Sequence, residues 1–255
     1  MFYQQPPEAH QLQPKEEYFE MQKARGLFIQ THLHGSYEFL CCDQGQISVT
    51  ISGREYVLQK GDAVLIFPYQ PHSYPKNRDG YGYRCTFAQE LIGRFVVNYG
   101  NYLPKSNLFR FSYDVSSVES NSNIFAVKSF LYAVCAKASQ DLEFEYVSAD
   151  SRILLEKIFI LTEEHYTDTN YSLRTLAEML TYDYGYISKY FVQKTGMKFN
   201  HYLNLRRITH AAGILRNAHP ANISDVAFSC GYSSVRSFNR NFKNVYGVTP
   251  QEYVL

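Results

Sequence analysis

The chain has 255 residues, 45% hydrophobic and 19% charged, which is enough apolar material for one large domain or two ordinary ones and too much for a disordered chain. No apolar run approaches the roughly eighteen residues that span a bilayer, and five cysteines without a CxxC spacing argue against a disulfide framework or a zinc ribbon. Net charge is only +1, yet residues 171–255 hold ten Lys/Arg against four Asp/Glu while the rest holds fifteen against twenty, so an acidic module precedes a basic one that meets a polyanion.

The start, MFYQQPPEAH, is polar and has no signal-peptide core, and the cysteines read as reduced, mostly buried thiols of a cytoplasmic protein. Residues 1–115 read as β. Short segments rich in Phe, Val, Ile and Tyr (27–33, 37–42, 46–52, 55–58 and 63–67) alternate with turn signals such as Ser52-Gly53, Lys60-Gly61-Asp62 and Pro68–Pro71. Many short strands at this spacing predict a barrel or sandwich.

One constellation in this stretch carries chemistry. His32 and His34, two apart, share a face of a strand; Glu38 follows four residues on, and His72 lies beyond the next strands. Three imidazoles and a carboxylate suit a divalent metal such as Zn, Fe, Mn or Ni. The same groups also suit a polar ligand, or a hydrogen-bonded network among themselves. Tyr37, Tyr69 and Tyr74 lie nearby and add aromatic faces and hydroxyls suited to a sugar-like ligand.

The spacing His-x-His-x3-Glu-x6-Gly, ending at Gly45, resembles the first motif of the cupin family. The second cupin motif is altered. Gly61 to Pro68 is one residue longer than usual and Pro68 to His72 one shorter, the second Gly is absent, and Lys76 stands where an Asn is usual. The resemblance implies a cupin-like barrel and leaves a divalent metal open.

Residues 116–149 read as a helical linker and dimerisation region. In Ile124–Ser139, Ile124, Val127, Phe130, Leu131, Val134 and Ala138 recur at helical spacing. The helix packs either on the barrel or against its copy in a dimer. A second helix, 150–166, carries Ile153, Leu154, Ile158, Ile160 and Leu161.

Residues 150–255 read as all-α. Ser172 caps a short helix, 173–180; Thr181–Asp183 turns; Asp183 caps a helix from Tyr184 to Lys194, ended by Gly196. Ile187 and Phe191 face inward, which leaves Tyr184, Gly185, Ser188 and Lys189 outward. This is a helix–turn–helix pattern. A long helix, Phe199–Asn217, is stopped by Ala218-His219-Pro220, and the pattern repeats. Residues 223–230 form the support helix, Gly231 the turn, and Ser233 caps a helix to Tyr246. With Val235, Phe238, Phe242 and Val245 inward, Ser234, Arg236, Asn239, Arg240 and Lys243 remain as DNA-contacting residues. Arg suits guanine, Asn suits adenine and Lys suits phosphate. The intervening helix, some 27 Å long, matches two recognition helices in successive major grooves roughly 34 Å apart.

From about Ile153 to the end the chain resembles the DNA-binding domain of the AraC/XylS family of bacterial transcription regulators. The likeness rests on Leu176-Ala177, Tyr186–Phe191 with Thr195-Gly196, Phe199–Arg206, Ile223–Ala227 with Gly231-Tyr232, Ser237–Lys243 and Tyr246–Tyr253. Two departures lie in the first recognition helix. Tyr184 and Gly185 stand where Pro or Ser is usual, and Val192-Gln193 replaces a commoner basic pair. The resemblance implies an α+β multidomain protein: a cupin-like β-barrel with connecting helices, then an all-α domain with two helix–turn–helix units. It implies a non-enzymatic activator that binds double-stranded DNA and contacts RNA polymerase, acting as a homodimer through Ile124–Ser139. It also implies a small-molecule effector, most simply a carbohydrate, at His32, His34, Glu38 and His72, with no membrane partner. Two alternatives stay open: a ligand-independent dimeric regulator, and a metal-dependent cupin enzyme fused to a DNA-binding domain.

Overall fold

The computed structural model describes residues 18–75, 80–217 and 222–254. The polar N-terminal stretch, Lys76 and the helix stop at Ala218–Pro220 lie outside the described residues. The chain divides into two compact units, the first ending at Arg152 and the second running on from Ile153. No described helix is long and apolar enough to cross a membrane.

The first unit is built from β1 (Phe19–Arg25), β2 (Ile29–His32), β3 (Tyr37–Gln44), β4 (Ile47–Ile51), β5 (Arg54–Leu58), β6 (Asp62–Ile66), β7 (His72–Tyr74) and β8 (Tyr81–Phe87). Helix α1 (Gly93–Tyr99), strands β9 (Tyr102–Pro104) and β10 (Leu108–Arg110), helix α2 (Ile124–Asp141) and β11 (Phe144–Tyr146) follow. One sheet runs β1-β8-β3-β6-β10, a second β2-β7-β4-β5, and β11 pairs with β9. All pairings are antiparallel.

Strand β3 shows why the unit has two cores. Tyr37 to Cys42 are buried without a break, the signature of a strand covered on both faces. Leu40 and Cys42 face inward with Val49, Ile51, Val64 and Ile66, filling the space shared by the two larger sheets. Phe39 and Cys41 face the other way and pack with Leu65, Cys85 and Phe87 against Val127, Phe130, Leu131 and Val134 of α2. The apolar stripe of α2 is therefore used within the first unit. The segment read as a linker contributes a wall of this core through Phe130 and its neighbours. Tyr37, expected near the ligand, sits in this outer core against Phe67 and Phe87. The all-β reading of residues 1–115 also misses α1, a seven-residue helix that buries one aromatic, Phe95.

The second unit comprises α3 (Ala149–His165, largely within it), α4 (Leu173–Met179), α5 (Tyr184–Thr195), α6 (Phe199–Asn217), α7 (Ile223–Ser229), α8 (Val235–Tyr246) and α9 (Pro250–Val254). On α3, Leu154 and Ile158 are buried as expected, but Ile153 and Ile160 are exposed. The helix buries a narrower stripe than its five aliphatic residues suggested. All five cysteines are buried free thiols, and burial pushes Cys41 and Cys135 up to about 12.

Candidate functional site

In the first unit the sheet register assembles the polar cluster. His32 ends β2 and pairs across to His72, which opens β7, so their ring centroids are 4.2 Å apart. His34, in the loop before β3, brings its ring to 4.9 Å from that of His72. One ligand nitrogen from each of the three lies within 4.8 Å of the others, and all three side chains are buried.

Glu38 is fully buried. Its Oε2 accepts from Thr86 Oγ1 at 3.1 Å and lies 3.3 Å from His34 Nε2. Its Oε1 accepts from the Tyr74 hydroxyl and lies 3.9 Å from His72 Nε2. Burial alone would raise its pKa, but Arg84, His34 and His72 outweigh that and hold the carboxyl well below its ordinary range. Burial, with Glu38 alongside, drives the Tyr74 phenol the opposite way, so it stays a donor.

The histidine tautomers are set from outside the cluster. His34 Nδ1 donates to the Ser36 carbonyl at 3.1 Å and His72 Nδ1 to the Gln70 carbonyl at 2.9 Å. Burial lowers His72 to about 4, against the pull of Glu38, so at neutral pH its Nε2 carries a lone pair. That buried atom has no hydrogen-bond partner and faces a carboxylate oxygen. Histidines that bind metals hold the other ring nitrogen in this way, and a cation between these atoms would relieve the opposed lone pairs. The donor set therefore fits a divalent metal, with His32, His34 and His72 as the residues that would hold it and Glu38 in reach.

The turn Pro68–Pro71 is bound to the same cluster. Tyr69, at a left-handed φ of 64°, donates its backbone N–H to the His34 carbonyl at 2.8 Å. The Gln70 side chain accepts from Phe67 N and from Asn107 Nδ2. Sequence reasoning missed Arg84 and Thr86. The register pairs Leu40 with Arg84 and Glu38 with Thr86, which puts both on the inner face, where the Arg84 guanidinium lies 5.8 Å from the Tyr74 ring. A lone arginine in the apolar run Tyr81–Phe87 was the available signal; its partner strand was not legible.

In the second unit two helix–turn–helix units repeat. Ser172 forms a capping box with Thr175 at α4, and Asn222 caps α7. Both turns use the same bonds. Leu180 N donates to Leu176 O, Thr181 N to Glu178 O and Tyr182 N to Ala177 O, matched by Cys230 to Val226, Gly231 to Phe228 and Tyr232 to Ala227. The left-handed residue is Thr181 in the first turn and Gly231 in the second. Helices α5 and α8 are each 12 residues long, capped by Asp183 and Ser234 and ended by left-handed Gly196 and Gly247. The cap of α8 is thus Ser234, not Ser233: the side chain that accepts from Ser237 N is one residue later than expected.

Outward on α8 are Arg236, Arg240 and Lys243. Asn239, expected with them, is half-buried and its Oδ1 is shielded from solvent. On α5, Tyr184 and Lys189 are exposed, while Gly185 and Ser188 are half-buried.

Within the second unit, helix α6 fixes the two helix–turn–helix motifs to one frame. Arg206 grips Glu163 through two bonds of 2.6 and 2.7 Å and lies 4.0 Å over the Tyr166 ring. Arg207 donates to the carbonyls of Tyr166 and Asp168, satisfying acceptors left over where α3 ends. In the sequence Arg206 stands out only as the end of the Phe199–Arg206 stretch of the family likeness, which does not reveal this clamp. Phe191 packs with Phe159, Phe199 and Tyr202 on one side of the frame, and Phe242 with Phe238, Tyr246 and Tyr253 on the other.

Comparisons with known proteins follow this division. Residues 13–103 match the family model for an AraC-like ligand binding domain, and residues 176–254 match a helix-turn-helix domain. An uncharacterised HTH-type transcriptional regulator of Staphylococcus aureus is 38% identical over 82 residues, which are 32% of this chain and 11% of that protein. The chain thus spans about a tenth of the length of the staphylococcal relatives it matches. The TetD protein of transposon Tn10 from Escherichia coli is 30% identical over 115 residues, covering 45% of this chain and 83% of that protein. ToxT of Vibrio cholerae O395, solved with (E)-4-(8-methylnaphthalen-1-yl)but-3-enoic acid, aligns over 94% of this chain and 98% of its own, with TM-score 0.62 and 17% identity, a likeness of fold. With a family model on each unit and a relative matched over most of its length, the chain belongs to the AraC family of helix–turn–helix transcription regulators.

Proposed function

We propose that the chain binds a specific double-stranded DNA operator through α5 and α8 and answers to a small-molecule effector at the His32, His34, Glu38 and His72 cluster. One observation carries the DNA half: two helix–turn–helix units, their recognition helices 51 residues apart (184 to 235), present outward faces from the basic third of the chain. Arg236 and Arg240 suit guanine edges, and Lys189 and Lys243 suit phosphate. At about 1.5 Å per residue α6 is about 28 Å long, of the order of the roughly 34 Å between successive major grooves. Binding of the full chain to duplexes selected from a randomised pool tests this. Arg240→Ala should weaken binding to the selected sequence far more than to a scrambled one, and equal loss on both would count against sequence reading.

A carbohydrate is the effector class proposed. Sugar hydroxyls can donate to the ionised Glu38, to His72 Nε2 and to the oxygens of Tyr74 and Thr86, whose own protons are given to Glu38. Activation, contact with RNA polymerase and pairing of two copies through α2 are proposed with it, on the likeness to AraC-type regulators. The inward stripe of α2 is occupied, so pairing would use its outward side, where Phe125 is exposed.

One observation favours a second reading, a divalent cation: the buried His72 lone pair facing Glu38 without a proton between them. Thermal melting of the full chain against sugars, and against zinc with and without chelator, separates the two. A ligand at a hundred times its dissociation constant stabilises a fold by about 2.7 kcal/mol. A shift with a sugar that is lost in His34→Ala supports the first reading, and a chelator-reversible shift with zinc supports the second. No shift with either sinks the effector assignment and leaves a barrel with an internal polar network.

A further inference from the structure

Helices α5 and α8 align residue for residue from their caps, Tyr184–Thr195 against Val235–Tyr246. In that alignment Arg240 corresponds to Lys189, but Arg236 corresponds to Gly185 and Lys243 to Val192. At 3.6 residues per turn, positions 185, 189 and 192 fall within a sector of about 60°, the centre of the outward face. Helix α5 therefore carries one cation where α8 carries three, and its centre holds a glycine and a valine that is 42% exposed.

Aromatic rings flank that centre. Tyr184 and Tyr186 are 48% and 49% exposed. The Tyr186 ring stacks on Tyr182, with centroids 5.3 Å apart and planes at 15°. The Arg174 guanidinium lies 5.4 Å from the Tyr184 ring. Both rings are thus held in place at the edges of the face. A Cβ at Gly185 would stand 3.0 Å from the capping Asp183 Oδ1, close enough that the cap must give by a few tenths of an ångström.

We infer that the two helices read chemically different halves of one operator. Helix α8 takes a guanine-bearing half through Arg236 and Arg240. Helix α5 takes a thymine-rich half, with Val192 and the Tyr184 and Tyr186 rings against thymine methyls. The methyl is the apolar feature that a major groove offers, and apolar side chains are what read it. Lys189 remains as the one cation among the three aligned positions of α5. The inference rests on the reading that the second unit binds DNA.

The test uses the full chain and duplexes it selects from a randomised pool. In the aligned winners, thymines are replaced by deoxyuridine, which lacks the methyl, and guanines by 7-deazaguanine, which lacks N7. Deoxyuridine should weaken binding several-fold in one half only; Val192→Ser should reduce that sensitivity, and Val192→Ser combined with Tyr184→Ser and Tyr186→Ser should abolish it. 7-Deazaguanine should act in the other half, with its effect abolished in Arg240→Ala. Val192→Lys should steepen the salt slope by about 0.9. The substituted positions are all exposed, and unchanged melting of each variant confirms that the fold is kept. Insensitivity to deoxyuridine in both halves, or a sensitivity that persists undiminished in the Val192, Tyr184 and Tyr186 triple variant, overturns the inference while leaving DNA binding intact. Failure of any sequence to be enriched overturns the DNA-binding reading as well.

Discussion

Gly231 lies against the end of α3: a Cβ at this position would stand 2.6 Å from the Tyr166 carbonyl oxygen and 2.9 Å from Arg207 Nε. Its φ of +84° independently disfavours any other residue. Gly231→Ala should therefore lower the stability of the second unit by about 2–4 kcal/mol, more than the roughly 1–2 kcal/mol that a left-handed backbone alone costs. Gly53 has φ +81°, and a Cβ added there would meet nothing within 4 Å, so Gly53→Ala should show the backbone cost alone. Urea melts of both variants, read unit by unit, check the difference.

The Arg207 clamp predicts a second asymmetry. Its Nε and Nη2 bond two different carbonyls at 2.6 and 2.7 Å, which a lysine ammonium cannot reproduce as a fork. Arg207→Lys should cost about 1–3 kcal/mol in the second unit. Near-wild-type melting would show that water replaces the clamp without loss.

The cap position separates Ser233 from Ser234. Ser234 accepts from Ser237 N, whereas Ser233 is exposed. Ser234→Ala should lose about 1 kcal/mol and Ser233→Ala close to nothing. Equal effects in the two variants would contradict the cap assignment.

In the barrel, Glu38→Gln removes the buried negative charge that offsets Arg84, His34 and His72 and replaces one acceptor of Tyr74 and Thr86 by an amide. Losing a buried charge that its surroundings compensate costs about 3–5 kcal/mol. Tyr74→Phe removes one hydroxyl donor to the same carboxylate and should cost about 1–3 kcal/mol. Thermal melts of the two variants should rank in that order.

The helical half was the more legible because its signals are local. Caps at Ser172 and Asp183, stops at Gly196, and Phe or Ile at helical spacing locate α4 to α6 without knowledge of the tertiary fold. The shared turn bonds and the Arg206–Glu163 pair join residues 40 or more apart, or depend on backbone geometry, and leave no local pattern. In the barrel, His32, His34, Glu38 and His72 could be picked out by residue type, and the register brings them together. Arg84 and Thr86 enter the cluster only through the β3–β8 pairing. Tyr37 leaves it because one step along a strand reverses the face. Asn239 shows the same limit on a helix: a side chain between the outward and the buried stripe can be half-buried.

Hydroxyl-radical footprinting of the full chain on a selected duplex tests the central claim most directly. Two helix–turn–helix units held to one frame by α6 should protect two windows on one face of the DNA, about 10 bp apart centre to centre. A single window, or two on opposite faces, would contradict joint docking of α5 and α8.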